Sequence, residues 1–225
     1  MDRYLEAFDA AEQARIQGNS EEAVELYAEA SSLAKESPSA DLVALHHMWG
    51  VTLTSLGLTD EALGHLNMAL SRANAANDFK LCAVIDRDMA RANLMGENPG
   101  VALDLIVCSL FHTPQEDLAE RGASIGVKAR ILFALGRHQE ALELFGTADA
   151  LLQRSENRHY ELYNLLHFME TVIEHCDIYG GDDGARNFLQ NQWRRLRTLA
   201  VSHGGRHHRE QAERIAADIF ADVEG

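Results

Sequence analysis

The sequence predicts an all-α fold built from repeated pairs of helices, and three observations carry that prediction. Four glycines, Gly18, Gly57, Gly96 and Gly136, follow one another at spacings of 39, 39 and 40 residues. Apolar residues recur at steps of three and four over helix-long stretches, as in Ala185, Phe188, Leu189, Trp193, Leu196 and Leu199. No segment sustains the two-residue alternation that a half-buried strand requires.

Around each glycine the residues repeat in kind. Five positions after Gly18, Gly57 and Gly136 stands an alanine preceded by glutamate, in the phrases GNSEEA, GLTDEA and GRHQEA. Nine after the glycine comes a large apolar residue, Tyr27, Leu66, Leu105 or Phe145, and twelve after it a small one, Ala30, Ala69, Cys108 or Ala148. Seven before it stand Ala11, Gly50, Met89 and Ala129. The third copy, GENPGVA, holds one extra residue, so that Ala102 takes the alanine position. A fifth copy leads from Gly180 through GGDDGA to Ala185 and Leu189. Small residues at matched positions let two helices approach closely, and the large one fills the space between them.

In chain order the paired helices are expected near 2–17 and 20–36, 40–56 and 59–76, 78–95 and 98–112, 114–135 and 138–154, and 158–178 and 183–202. Capping chemistry supports several of these boundaries. Thr113-Pro114-Gln115-Glu116 reads as a capping threonine, a proline in the first helical turn and a glutamate three residues on. Asn98-Pro99 repeats the cap-then-proline device, and Asn19 with Glu22 offers a further capping box. Gly204-Gly205 then breaks the chain before a last helix near 206–223, whose stripe of Ala212, Ile215, Ala216, Ile219, Phe220 and Val223 is one-sided. Such a helix closes the open end of a stack, because a terminal repeat needs a polar outer face. No linker separates domains, so one domain over 1–225 is expected, with repeats near 2–36, 40–76, 78–112, 114–154 and 158–202.

Composition narrows the function classes. Of 225 residues, 46% are hydrophobic and 24% charged, enough to bury a core without disulfides or a metal. A net charge of −15 argues against a surface made for nucleic acid or an anionic membrane. No apolar run approaches a membrane span, and Asp2, Arg3, Glu6, Asp9 and Glu12 leave no room for a signal peptide. The three cysteines, Cys82, Cys108 and Cys176, are odd in number and widely spaced, which suits a reduced, cytoplasmic protein. Only three of the 20 basic residues are lysines, a usage that suits a bacterium with a GC-rich genome.

With these residues in view, the chain resembles the tetratricopeptide repeat (TPR) family in its longer-helix variant of about 40 residues. The strongest copies are LTSLGLTDEALGHLNMAL, from Leu53 to Leu70, and LFALGRHQEALELFGTA, from Leu132 to Ala148. The resemblance covers roughly residues 2–202, although the family's usual tryptophan and proline positions are mostly empty. It implies a TPR-like α-solenoid of about five helix-turn-helix repeats plus a C-terminal capping helix. It also implies a binding scaffold whose concave groove is lined by the first helix of each pair.

Counting back from each glycine by the family's groove-facing positions names a candidate lining. Copy one offers Phe8, Glu12 and Arg15, and copy two His47, Val51 and Thr54. Copy three offers Asp86, Ala90 and Asn93, copy four Gly126, Arg130 and Phe133, and copy five His167, Glu170, Glu174 and Asp177. One subset of the family grips a C-terminal carboxylate with lysines and asparagines, but Lys35, Lys80 and Lys128 fall elsewhere, which disfavours such a clamp. The lining has an acidic end, which points to a basic or mixed-charge peptide as partner.

Other constellations are weaker. Tyr163, His167, Glu170 and Glu174 share one helical face, yet no Glu-x-x-His motif occurs, so no metal or other cofactor is expected. His46-His47 and His207-His208 point to different helix sides. Cys108 reads as core packing, and Cys176 beside His175 is separated from it by about 100° of helix turn. There is no nucleophile elbow and no Gly-rich phosphate loop, so no enzyme is expected. Residues 186–214 hold seven arginines against Glu210 and Glu213, a surface for phosphates, an acidic partner or self-association, or one paired within its own stack. The expected function is a non-enzymatic scaffold for a peptide or protein segment. The alternative is the effector-sensing domain of a bacterial transcription regulator lacking its helix-turn-helix.

Overall fold

Among the described residues, positive-φ positions such as Gly18, Gly57, Glu97 and Gly136 turn the chain between paired helices, and those turns define the repeat. The computed structural model describes residues 2–36, 41–180 and 183–220, without the side chains of Glu36, Tyr179, Asp183, Arg186, Arg206, His207 and Phe220. Expectations placed on Ala40, Gly181, Asp182, Val223 and those side chains lie outside the described residues. Among the described residues eleven α-helices follow one another: α1 (Arg3–Gln17), α2 (Ser20–Leu33), α3 (Leu42–Ser55), α4 (Thr59–Ala75), α5 (Phe79–Met95), α6 (Pro99–His112), α7 (Leu118–Ala134), α8 (His138–Ser155), α9 (Arg158–Tyr179), α10 (Asp183–His203) and α11 (Arg206–Phe220). No strand occurs among the described residues.

Gly18, Gly57 and Gly136 sit at φ of 86°, 75° and 77°, the left-handed region that glycine enters without strain. Paired backbone bonds close each turn, as where Gly57 N–H donates to Thr54 and Leu58 N–H to Leu53. In the third copy the left-handed residue is Glu97, at φ 59°, while Gly96 keeps φ −81°. Gly96 answers a different need: a Cβ there would lie 2.8 Å from Thr59 Cγ2.

This shift corrects the register of copy three. Counted from Glu97, the small, large and small positions are Ala102, Ile106 and Ser109, not Leu105 and Cys108, and the position seven before is Ala90, not Met89. The burial pattern follows suit. Ala23, Ala62, Ala102 and Ala141 are 0% exposed, as are Tyr27, Leu66, Ile106 and Phe145, and Ala30, Ala69, Ser109 and Ala148. Cys108 is exposed, so its reading as core packing does not stand.

Acceptors at the N-termini sort α1 to α9 into two kinds. The first helix of every pair is capped by a side-chain oxygen, from Asp2, Asp41, Asp78, Asp117 and Asn157. Asp117 displaces the expected Thr113 cap: Thr113 ends α6, donating to the Ser109 carbonyl, and α7 begins at Leu118. Pro99 does open α6, although Asn98 turns its amide back to the Gly96 carbonyl. Asn19 bonds the Glu22 carboxylate directly instead of forming the reciprocal box.

The chain divides into two compact units, Met1–Thr113 and Pro114–Gly225. In the first, Tyr4, Tyr27 and Leu45 lie in one buried cluster and Leu66, Ile85 and Met89 in another. In the second, the rings of Phe145 and Phe168 stack at 5.2 Å, and Leu189, Leu196, Leu199, Ile215 and Ile219 complete one core. Burying each such side chain contributes about 1.5–3 kcal/mol. The α10 stripe therefore faces inward as its spacing predicts, with Phe188 and Trp193 packed at its margin.

Candidate functional site

In the first unit, α1 and α2 bring an acid, a base and a phenol together. Arg15 forks onto Glu12, with Nε 3.1 Å from Oε1 and a terminal nitrogen 2.7 Å from Oε2, while the Tyr27 hydroxyl donates to Oε1. Burial alone would raise the Glu12 carboxyl, but Arg15, Tyr27 and the nearby His47 hold it below its ordinary range. Burial and the Glu12 carboxylate push the Tyr27 phenol upward.

His47 on α3 continues the polar chain. Its Nε2 lies 2.8 Å from Oδ2 of Asp88 on α5, with both side chains buried. Burial would raise Asp88, yet the His47 hydrogen bond and the charges of Arg87 and Arg91 hold it well below the carboxylate range. Arg91 closes on the other oxygen at 3.2 Å. Asp86 and Asn93 stand apart from this chain. Asp86 is buried with its carboxyl raised by burial, 3.9 Å from His112, and Asn93 donates to the Met89 carbonyl of its own helix. Counting from Glu97 instead of Gly96 substitutes Arg87, Arg91 and Leu94 at the family's groove-facing positions of copy three.

His46 turns the other way, as adjacent helical residues must. Its Nδ1 meets Nδ1 of His65 on α4 at 3.0 Å, and Trp49 stacks on His65 with centroids 3.9 Å apart. Burial, then the neighbouring His65 and Arg72 charges, push His46 down to about 4, and burial lowers His65 as well. Both rings are therefore neutral near pH 7, one donating to the other.

In the second unit, α9 presents His167, Glu170, Glu174 and Asp177 on one face. His167 Nδ1 lies 3.0 Å from a Glu170 oxygen. Burial opposes ionisation of Glu170, but His167 and the charges of Arg130 and Arg214 hold it low. Glu170, Glu174 and Asp177 line a cleft of about 240 Å³ with Ile173, and its far side is Gln211, Arg214, Ile215 and Asp218 of α11. Arg130, on α7, thus reaches the acidic group through its field. The basic run is partly consumed within its own stack. Arg195 bridges Asp149 at 2.7 Å and Glu161 at 2.5 Å, and Arg197 lies 5.6 Å over the Trp193 ring.

Sequence spacing missed Tyr27, Asp88, Arg91 and Arg214 as members of these clusters. The Asp88-to-Arg91 step of three was a legible signal; the others depend on distances between helices. No group of three or more His, Cys, Asp or Glu arranged to hold a metal occurs among the described residues. Among them, too, no helix is long and apolar enough to cross a membrane.

Paired helices, left-handed turns and small residues at the crossing points define a tetratricopeptide-like helical repeat fold, an α-solenoid in class. Solved structures bear this out. A Rap protein complexed with Competence and Sporulation Factor matches 98% of this chain, with a TM-score of 0.75 and 14% identity. This chain spans 66% of that protein, just under two thirds of its length. Aspartyl phosphate phosphatase F from Bacillus subtilis matches all of this chain at a TM-score of 0.64 and 13% identity, over 61% of its own length. Nearly identical TPR-like repeats of kinesin light chain type from Podosopora anserina match at a TM-score of 0.57 and 18% identity, over 96% of each chain. At such identities the likeness establishes the fold alone. No protein-family model matches the chain, and no curated protein does.

Proposed function

We propose that this protein is a non-enzymatic interaction scaffold that takes a basic peptide or protein segment on the faces of its first helices. The observation that carries this reading is the acidic face of α9, where Glu170 and Glu174 line a cleft instead of pairing into the core. A cleft with carboxylate walls and an isoleucine floor suits a lysine or arginine side chain, whose stem is apolar and whose head is charged. Arg130 and His167 set the field around it, and Glu12, Arg15 and His47 offer a second polar patch on α1 and α3. Asp86 and Asn93 contribute through packing in this account. The scaffold is proposed to act in the bacterial cytoplasm with its cysteines reduced.

Selection from a random dodecapeptide display library on the immobilised chain tests this. Basic peptides should be enriched on the wild type and lost on a Glu170→Lys, Glu174→Lys variant; equal recovery on both proteins refutes the site. The likeness to a Rap protein solved with a bound factor supports a second reading, the peptide- or effector-sensing domain of a larger bacterial transcription regulator. That reading expects the enriched peptides to alter DNA binding once a helix-turn-helix partner segment is supplied.

A further inference from the structure

The acidic face of α9 is not open along its whole width, because α11 lies beside it. Gly204 and Gly205 reverse the chain after α10 so tightly that a Cβ on Gly204 would stand 2.7 Å from the Ala200 carbonyl oxygen. α11 then runs in the same direction as α9. His208 meets the edge of the Tyr163 ring at 5.1 Å, and further along Arg214 and Asp218 face Glu170, Glu174 and Asp177. Ala212, Ile215 and Ile219 are buried in the core, so apolar contact holds the helix in place. Arg214 is exposed on the cleft side of that anchored helix. It is a cation held among four carboxylates, three from α9 and Asp218 from its own helix. Among the described residues no ion pair locks it to any one of them.

We propose that Arg214 is an internal competitor for the acidic wall of α9, so that a partner's basic side chain reaches Glu170 and Glu174 only by displacing it. This rests on the reading of that wall as a partner site. Displacement is easy, because an exposed arginine in a field of carboxylates gains little from any single one of them. The helix itself need not move, since its docking lies in Ile215 and Ile219 and not in the arginine. A competitor of this kind weakens the capture of neutral and weakly basic segments and favours those with enough positive charge to replace the arginine.

The test is a fluorescence anisotropy titration of the full chain with a fluorescein-labelled octalysine peptide. Arg214→Gln should tighten binding roughly two- to tenfold by removing the competing charge. Arg209→Gln, an exposed arginine of the same helix outside the cleft, should change it far less. Glu170→Lys with Glu174→Lys should abolish it. A Arg214→Gln protein that binds like Arg209→Gln, or more weakly than wild type, overturns the competitor while leaving the acidic site standing. Binding insensitive to the double lysine variant, or absent from every protein, overturns the site and the competitor together. Circular dichroism melts of each variant confirm that α11 remains docked.

Discussion

Gly50 lies where α3 crosses α4, and the contrast with Gly64 on α4 turns that crossing into a measurement. A Cβ on Gly50 would sit 2.7 Å from Leu66 Cγ, 3.0 Å from Leu66 Cδ2 and 3.1 Å from the Ala62 carbonyl oxygen. Leu66 is fully buried and cannot swing away, and the carbonyl belongs to the facing helix. Gly50→Ala gains about 1 kcal/mol in helix propensity, but overpacking costs about 2–3 kcal/mol, so a net loss of about 1–2 kcal/mol is expected. Gly64 has nothing within 4 Å of its added Cβ, and Gly64→Ala should gain about 0.5–1 kcal/mol. The two single-methyl changes should therefore move Tm in opposite directions, by a few degrees per kcal/mol. Urea denaturation with unchanged m-values checks the same quantities. A Gly50→Ala protein as stable as Gly64→Ala would mean that the helices do not meet at this glycine, and the repeat geometry would fail. Gly122→Ala, whose Cβ would lie 2.7 Å from Leu152 Cγ, should repeat the loss in the second unit.

The His46–His65 pair predicts acid sensitivity. His46 falls to about 4 in the folded state from an ordinary 6.5, so the unfolded chain takes up its proton first as pH drops. Stability should be complete above about 6.5 and fall by about 1–3 kcal/mol between 6.5 and 4; His46→Gln should flatten that slope in pH-dependent urea melts. Glu12 and Asp88, held low, add their loss only below the ordinary carboxylate range. Thiol labelling of the folded protein should modify exposed Cys108 rapidly and buried Cys82 slowly, since burial raises the Cys82 thiol. Equal rates would refute the register assigned to copy three. Arg195→Met should cost about 2–4 kcal/mol in denaturant titrations, because it strands the carboxylates of Asp149 and Glu161. A cost near zero would mean that the bridge does not form.

The helix pairs were legible because close packing constrains composition. Ala23, Ala62 and Ala141 recur where two backbones approach, and Tyr27, Leu66 and Phe145 where the gap must be filled. Copy three misled because glycine served as the marker, whereas the turn needs a backbone conformation that Glu97 adopts at modest cost. Thr113-Pro114 misled for a related reason, since a proline follows a helix end as readily as it opens a helix. The acidic residues of α9 were readable from spacing, but their enclosure by Arg214 depends on where Gly204 and Gly205 send the next helix. The His47–Asp88 contact spans 41 positions and left no mark in local pattern.

The most direct test of the scaffold reading is site-specific photo-crosslinking in a bacterial lysate. A photoreactive phenylalanine analogue would replace Tyr163, exposed on α9 beside His167, and in a second protein Glu143, exposed on α8. On the scaffold reading a discrete crosslinked protein arises from position 163 alone and is lost when Glu170 and Glu174 are changed to lysine. Crosslinks that arise equally from both positions, or survive the double change, would contradict it.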